Sequence, residues 1–150
     1  MTELTWPWQF DRRVRWLLEL TMDEDERIRF FVEGMDAQLM VALDERLLVV
    51  KPGFVRGTDF GGMVASIYYH DITAIKVRGG LTNWVVQVDT RSYQVNESHA
   101  QSYQGNRVMQ AKDFWLSNDL TSMPITRGSL RKHKPHLFEL EKLVQEAKEA

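Results

Sequence analysis

The stretch LMVALDERLLVVKPG, Leu39 to Gly53, decides how this chain is read. Two apolar runs flank a pair of carboxylates, Asp44 and Glu45. A catalytic acid pair needs a desolvated pocket that raises the pKa of one member. The tip of a hairpin meets water on most sides. The spacing is that of two strands joined by a short polar turn. Asp44 and Glu45 are therefore read as the turn, and each flanking run as a half-buried strand.

Working outward, the same two-residue period governs the middle of the chain. IRFFV (28–32), QLMVAL (38–43), RLLVV (46–50), VASIYY (64–69), ITAIKV (72–77) and NWVVQV (83–88) are short and rich in β-branched and aromatic residues. Gly34, Pro52-Gly53, Gly61-Gly62, His70-Asp71 and Gly79-Gly80 punctuate them. Sequential strands with tight connections predict an antiparallel sheet rather than a βαβ array.

On the N-terminal side the period is helical. Phe10, Val14, Leu17 and Leu18 form one stripe over 9–22, widened by Trp16 and Leu20, with Asp11 early, where a carboxylate suits the positive helix end. The run Asp23-Glu24-Asp25-Glu26 ends the pattern. It reads as a solvated connection rather than a metal site, because consecutive carboxylates in extended chain point to opposite sides. On the C-terminal side, residues 90–113 are polar and aperiodic, holding either a last strand (YQVN or RVMQA) or a long loop. Phe114-Trp115-Leu116 returns to the core. Pro135 to Ala150 predicts a closing helix, with Leu137, Leu140, Val144 and Ala147 on one face, Leu143 beside them and Pro135 in its first turn.

A chain of 150 residues with 43% hydrophobic and 27% charged residues fits one soluble domain. The absence of cysteine excludes disulfides, thiolate metal sites and cysteine nucleophiles. A formal net charge of -2 gives no global attraction to nucleic acid, which is not an expected partner. No apolar run approaches the roughly 20 residues of a membrane span. The opening MTELTWPWQFDRR has no basic start followed by an apolar core, so the expected compartment is the cytoplasm, with a membrane-peripheral position as the alternative.

Glu26-Arg27-Ile28 leading to Gly34, VALDERLLVVKPG (41–53) and YYHDITAIKVRGGL (68–81) resemble the bacterial pleckstrin-homology-like (PH-like) domains of the YokE type. Leu43 stands where threonine is common in that hairpin. The resemblance spans about residues 26 to 89. It implies an α+β fold: a PH-like antiparallel barrel of six to seven strands over 26–116, an N-terminal helix at 9–22 and a capping helix at 129–150. It also implies a non-catalytic module that binds lipid headgroups, peptides, other proteins or itself.

Candidate contact residues are few. RGSLRKHKPH, 127–136, brings Arg127, Arg131, Lys132 and Lys134 together with no acid between them. Cations before a helix N-terminus suit phosphate or anionic lipid; a protein surface, or a solvated basic turn balancing residues 23–26, are the alternatives. Phe54 and Phe60, with Arg56, sit on a glycine-bearing loop and either insert into a partner or fold back. Trp6 and Trp8 form a terminal aromatic pair, either a contact surface or a staple. A second basic set, Lys51, Arg56, Lys76 and Arg78, stands near strand ends. The first hairpin loop, 33–37, has no basic residue, which argues against the usual headgroup pocket of PH domains. His133 and His136 lack further zinc ligands, and Pro135 disfavours a regular helical pair. His70-Asp71 reads as a turn. No serine or threonine sits in an activated constellation.

The expectation is thus a cytoplasmic, non-enzymatic interaction module for a protein partner or a second copy. A peripheral lipid-binding module is the alternative, and an enzyme using 90–113 the remote one. No cofactor and no metal are expected.

Overall fold

The computed structural model describes residues 10–52, 62–79, 84–98 and 121–150, with backbone alone for 95–98. Helix α1 (Arg12–Thr21) leads into β1 (Phe30–Glu33), β2 (Leu39–Ala42), β3 (Arg46–Pro52) and β4 (Gly62–Tyr68). A one-turn 3-10 helix (Tyr69–Asp71) precedes β5 (Ile72–Gly79), β6 (Trp84–Thr90) and β7 (Gln94–Ser98). Strand β8 (Ser122–Ile125), the short helix α2 (Arg127–Lys132) and α3 (Lys134–Glu149) complete the order. Phe114-Trp115-Leu116 and RVMQA lie outside the described residues.

The fold is α+β with two antiparallel sheets. One has the order β1-β2-β3-β4-β7, the other β5-β6-β8. Among the described residues these are two separate ladders with no closed barrel; of the expected barrel or sandwich, the two antiparallel sheets are what the structure shows. At one corner they touch, where the Met35 N–H donates to Pro124 O (2.8 Å). A Cβ on Gly34 would meet the Met123 side chain and stand 2.8 Å from Pro124 O, so only glycine allows this approach.

The opening stretch is a hairpin, with Leu39 paired to Val50 and Ala42 to Leu47. Asp44 and Glu45 are its exposed tip. Tyr69 braces that tip: its hydroxyl donates to Leu43 O (2.5 Å) and its N–H to Glu45 O (3.2 Å). The strands, however, are not half-buried. β2 is buried along its whole length, and so is β3 after Arg46. Met40, Ala42, Leu47 and Val49 face the second sheet and α3, among Ile67, Val86, Met123 and Leu140. Leu39, Val41, Leu48 and Val50 face the other way, beneath Val14, Leu17 and Leu18 of α1. A strand covered on both faces reads as a continuous apolar run rather than an alternating one.

Helix α1 follows the predicted stripe except at Leu20, which is 52% exposed. Asp11 caps it, accepting from the Arg13 N–H (2.8 Å). The acidic run is not wholly solvated. Asp23, Glu24 and Asp25 are exposed, but Glu26 binds Arg46 through two contacts, Nη2 to Oε1 (2.6 Å) and Nε to Oε2 (2.9 Å). Arg46 also donates to Thr21 O (3.0 Å) and Ser66 Oγ (2.9 Å), tying the end of α1 to β3 and β4.

The basic segment is helical from Arg127, two residues before the expected start of the closing helix. Thr126 Oγ1 accepts from the Ser129 N–H (3.1 Å) and caps α2. Pro135 has no N–H to return to Arg131 O, so the helix breaks at His133 and restarts as α3. Leu137, Leu140, Leu143 and Val144 of α3 close the core between the sheets.

Candidate functional site

The second sheet and the C-terminal helices leave a groove between them. Its floor is apolar: Ile75 and Val77 from β5, Trp84 from β6, Leu130 from α2 and Leu137 from α3. Its volume is about 450 Å³. Two apolar groups on it face water, Val77 at 42% and Phe138 at 59% exposure. The last four residues of β5, Lys76 to Gly79, are exposed, and the groove lies between the end of this strand and α2–α3.

Three cations stand on the rim, Arg127, Arg131 and Lys134, opposed by one carboxylate, Glu141. Arg127 and Arg131 are one turn apart on α2, and Lys134 opens α3. Together with Phe138 and Glu141 they recur every three or four residues, so the break at His133 preserves one stripe. Lys134 Nζ lies 5.9 Å from the centre of the Phe138 ring. Among the described residues, none of the three cations is paired with a carboxylate. Their charge is available to a partner.

Lys132 does not join them. It points toward β1, where Nζ donates to Glu33 Oε1 (3.3 Å). Glu33 also accepts from His133 Nε2 (3.3 Å), and its carbonyl accepts from Ser129 Oγ (2.6 Å). An ionised carboxylate only accepts, so His133 carries its proton on Nε2 and its Nδ1 is an acceptor. His136 Nδ1–H then donates to both His133 Nδ1 (3.1 Å) and Phe31 O (3.0 Å). Pro135 thus brings the two histidines together rather than apart. His133 is 2% exposed, and burial pushes its pKa below the ordinary value against the pull of Glu33. Burial pulls the Glu33 carboxyl up, but hydrogen bonds from His133 and Lys132 outweigh it and hold the pKa low. The relay locks the α2–α3 junction to β1. Among the described residues no group of three or more potential ligands could hold a metal ion.

The second basic set is dispersed. Lys51 is buried beneath β8, its Nζ donating to Ser122 O (2.6 Å), while Lys76 pairs with Asp89 (2.9 Å). His70 and Asp71 occupy the 3-10 turn. Trp6, Trp8, Phe54, Arg56 and Phe60 lie outside the described residues. No helix among the described residues is long and apolar enough to cross a membrane.

Sequence reasoning found the cations of the rim but missed its floor. Phe138 carried a signal, an aromatic among the polar positions of an otherwise two-faced helix. No family model, curated protein or solved structure matches the chain.

Proposed function

We propose that the chain is a non-enzymatic, PH-like interaction module that binds an acidic, apolar-tipped surface of a protein partner in the groove between β5–β6 and α2–α3. The observation that carries this reading is the pairing of an apolar floor with three rim cations, none of them ion-paired among the described residues. Apolar side chains of the partner fill the floor beside Val77 and Phe138, where burial supplies affinity. Its carboxylates meet Arg127, Arg131 and Lys134, which supply orientation and a faster encounter. Arg127 and Arg131 suit carboxylates because the guanidinium fork can hold both oxygens. The groove offers a lone carboxylate and no histidine, serine or cysteine among its described lining, a set suited to contact rather than to proton transfer. The PH-like reading rests on the hairpin and strand motifs together with a C-terminal helix closing the core.

The test is a fluorescence-anisotropy titration with a synthetic acidic amphipathic helical peptide, run beside vesicles of phosphatidylglycerol and phosphatidylcholine. The peptide binds the wild type, and Arg131→Glu/Lys134→Glu and Phe138→Ser each weaken binding by about tenfold or more. Vesicle binding without peptide binding replaces this reading with the membrane one. Failure of both probes removes the groove as the site.

A further inference from the structure

We infer that the groove's partner is a second copy of this chain, docked head to tail through an acidic face on the far flank of α3. This deepens the proposed function and rests on it.

The acidic face is a second depression of about 550 Å³, with charged groups around an apolar lining that includes Tyr68, Leu143 and Ala147. Asp44, Glu45 and Glu146 stand around it, with Arg29 as the only full cation among its described lining residues. Arg29 is partly neutralised, lying 3.6 Å from Asp44 and 3.9 Å from Glu139. Glu45 and Glu146 are exposed and, among the described residues, have no ion-pair partner. Tyr68 is 39% exposed beside them and stacks on His70 with ring centres 5.9 Å apart. The face therefore offers what the groove lacks: three carboxylates against one cation, where the groove has three cations against one carboxylate. Tyr68 supplies an apolar body for the floor at Val77 and Phe138.

The face is also firm. Tyr69 fixes the Asp44–Glu45 tip by its two hydrogen bonds, so little ordering is lost on contact. Its position excludes closure within one chain. Lys134, Phe138 and Glu141 lie on one side of α3, whereas Glu146 and Ala147 lie about 110–150° away around the axis, to either side, and roughly 13 Å further along it. Two surfaces facing away from each other can meet only between copies. One contact leaves a free groove at one end and a free acidic face at the other, so the contact repeats.

Analytical ultracentrifugation of the chain alone tests this. At low salt the weight-average mass rises with concentration, and it falls back toward the monomer as salt is raised, because the charges are screened over about 8 Å at physiological ionic strength. Two variants separate the surfaces: Arg131→Glu/Lys134→Glu in the groove, and Glu45→Gln/Glu146→Gln on the acidic face, the second neutral so that the two altered surfaces do not attract each other. Each alone is monomeric, with an unchanged thermal melt because the substituted side chains are exposed. Mixed in equal amounts they form a dimer and go no further, since only one intact groove and one intact face remain. The acidic peptide of the preceding test dissolves the wild-type assembly. A wild type that stays monomeric at low salt while the groove still binds the peptide overturns the inference and leaves the proposed function standing. Mixed variants that remain monomeric, both folded, overturn it as well.

Discussion

Glu26 and Arg46 form a two-point ion pair, 2.6 and 2.9 Å, twenty positions apart in sequence and largely shielded, with side chains 18% and 12% exposed. It joins the connection after α1 to the first residue of β3. Because Arg46 also reaches Thr21 O and Ser66 Oγ, it fastens the helix over one face of the large sheet.

Glu26→Gln removes the charge but keeps the size, leaving the Arg46 guanidinium partly buried and unpaired. Urea unfolding should show a loss of about 1–3 kcal/mol. The Arg46 hydrogen bonds hold the Glu26 carboxyl below its ordinary value of 4.5. A lowered carboxyl pKa contributes stability that is complete above the unfolded value and is lost as pH falls through the folded one. The wild type should lose stability on acidification below about pH 4.5 more steeply than Glu26→Gln; equal slopes would exclude the pair as a stabilising contact.

His133 titrates with the opposite chemistry but the same sign. Its pKa is lowered by burial, so the unfolded chain binds the proton more readily than the folded one. The contribution is complete above about pH 6.5 and is lost as pH falls through the lowered folded value. Melting temperature should drop between neutral and mildly acidic pH. His133→Leu should flatten that drop, and an unchanged slope in the variant would exclude this residue as its source.

The α1 cover separates two leucines of one helix. Leu18 is fully buried against β3 and β4, whereas Leu20 is 52% exposed. Leu18→Ala should cost about 2–5 kcal/mol. Leu20→Ala should stay within about 0.5 kcal/mol of the wild type. Comparable losses for both would mean that α1 sits on the sheet in another rotation.

Gly34→Ala places a methyl against Met123 and 2.8 Å from Pro124 O. The expected cost is about 1–3 kcal/mol, from forcing the β1 end away from β8. Adding Met123→Ala to this variant should cost less than Met123→Ala costs the wild type, since truncation removes part of the clash. Strict additivity of the two changes would show that the contact is not made.

The elements legible in the sequence were those whose pattern is local. Period-two runs marked β1 to β6 and Asp44-Glu45 marked the hairpin tip, while of the alternatives left open for 90–113 the strand at YQVN is the one that overlaps β7. The stripe Leu137, Leu140, Val144 marked α3. Strand β8 was missed because SMPI is four residues long and contains Pro124. It exists only because β6 offers it an edge, pairing Trp84 with Ile125 and Val86 with Met123, and an edge strand tolerates proline. Helix α2 was read only from residue 129, as part of one closing helix; its start at Arg127 and its separation at His133 were missed because six residues interrupted by Gly128 and followed by Pro135 carry little helical signal. Docking on Glu33 stabilises what propensity does not.

By itself, then, the sequence determined the alternation of strands and turns, the amphipathic closing helix, and the cluster of cations at 127–134. Those follow from nearest-neighbour sterics and from side-chain periods within a few residues. Only the tertiary structure decided that β2 and β3 are covered on both faces, that Lys132 and Lys51 leave the cationic surface, and that Arg127, Arg131 and Lys134 rim an apolar floor. Each of these depends on which distant segments meet. Glu33 stands about a hundred positions from His133, and Val77 sixty-one from Phe138. No local period encodes such a meeting, because burial and ion pairing are properties of the packed chain.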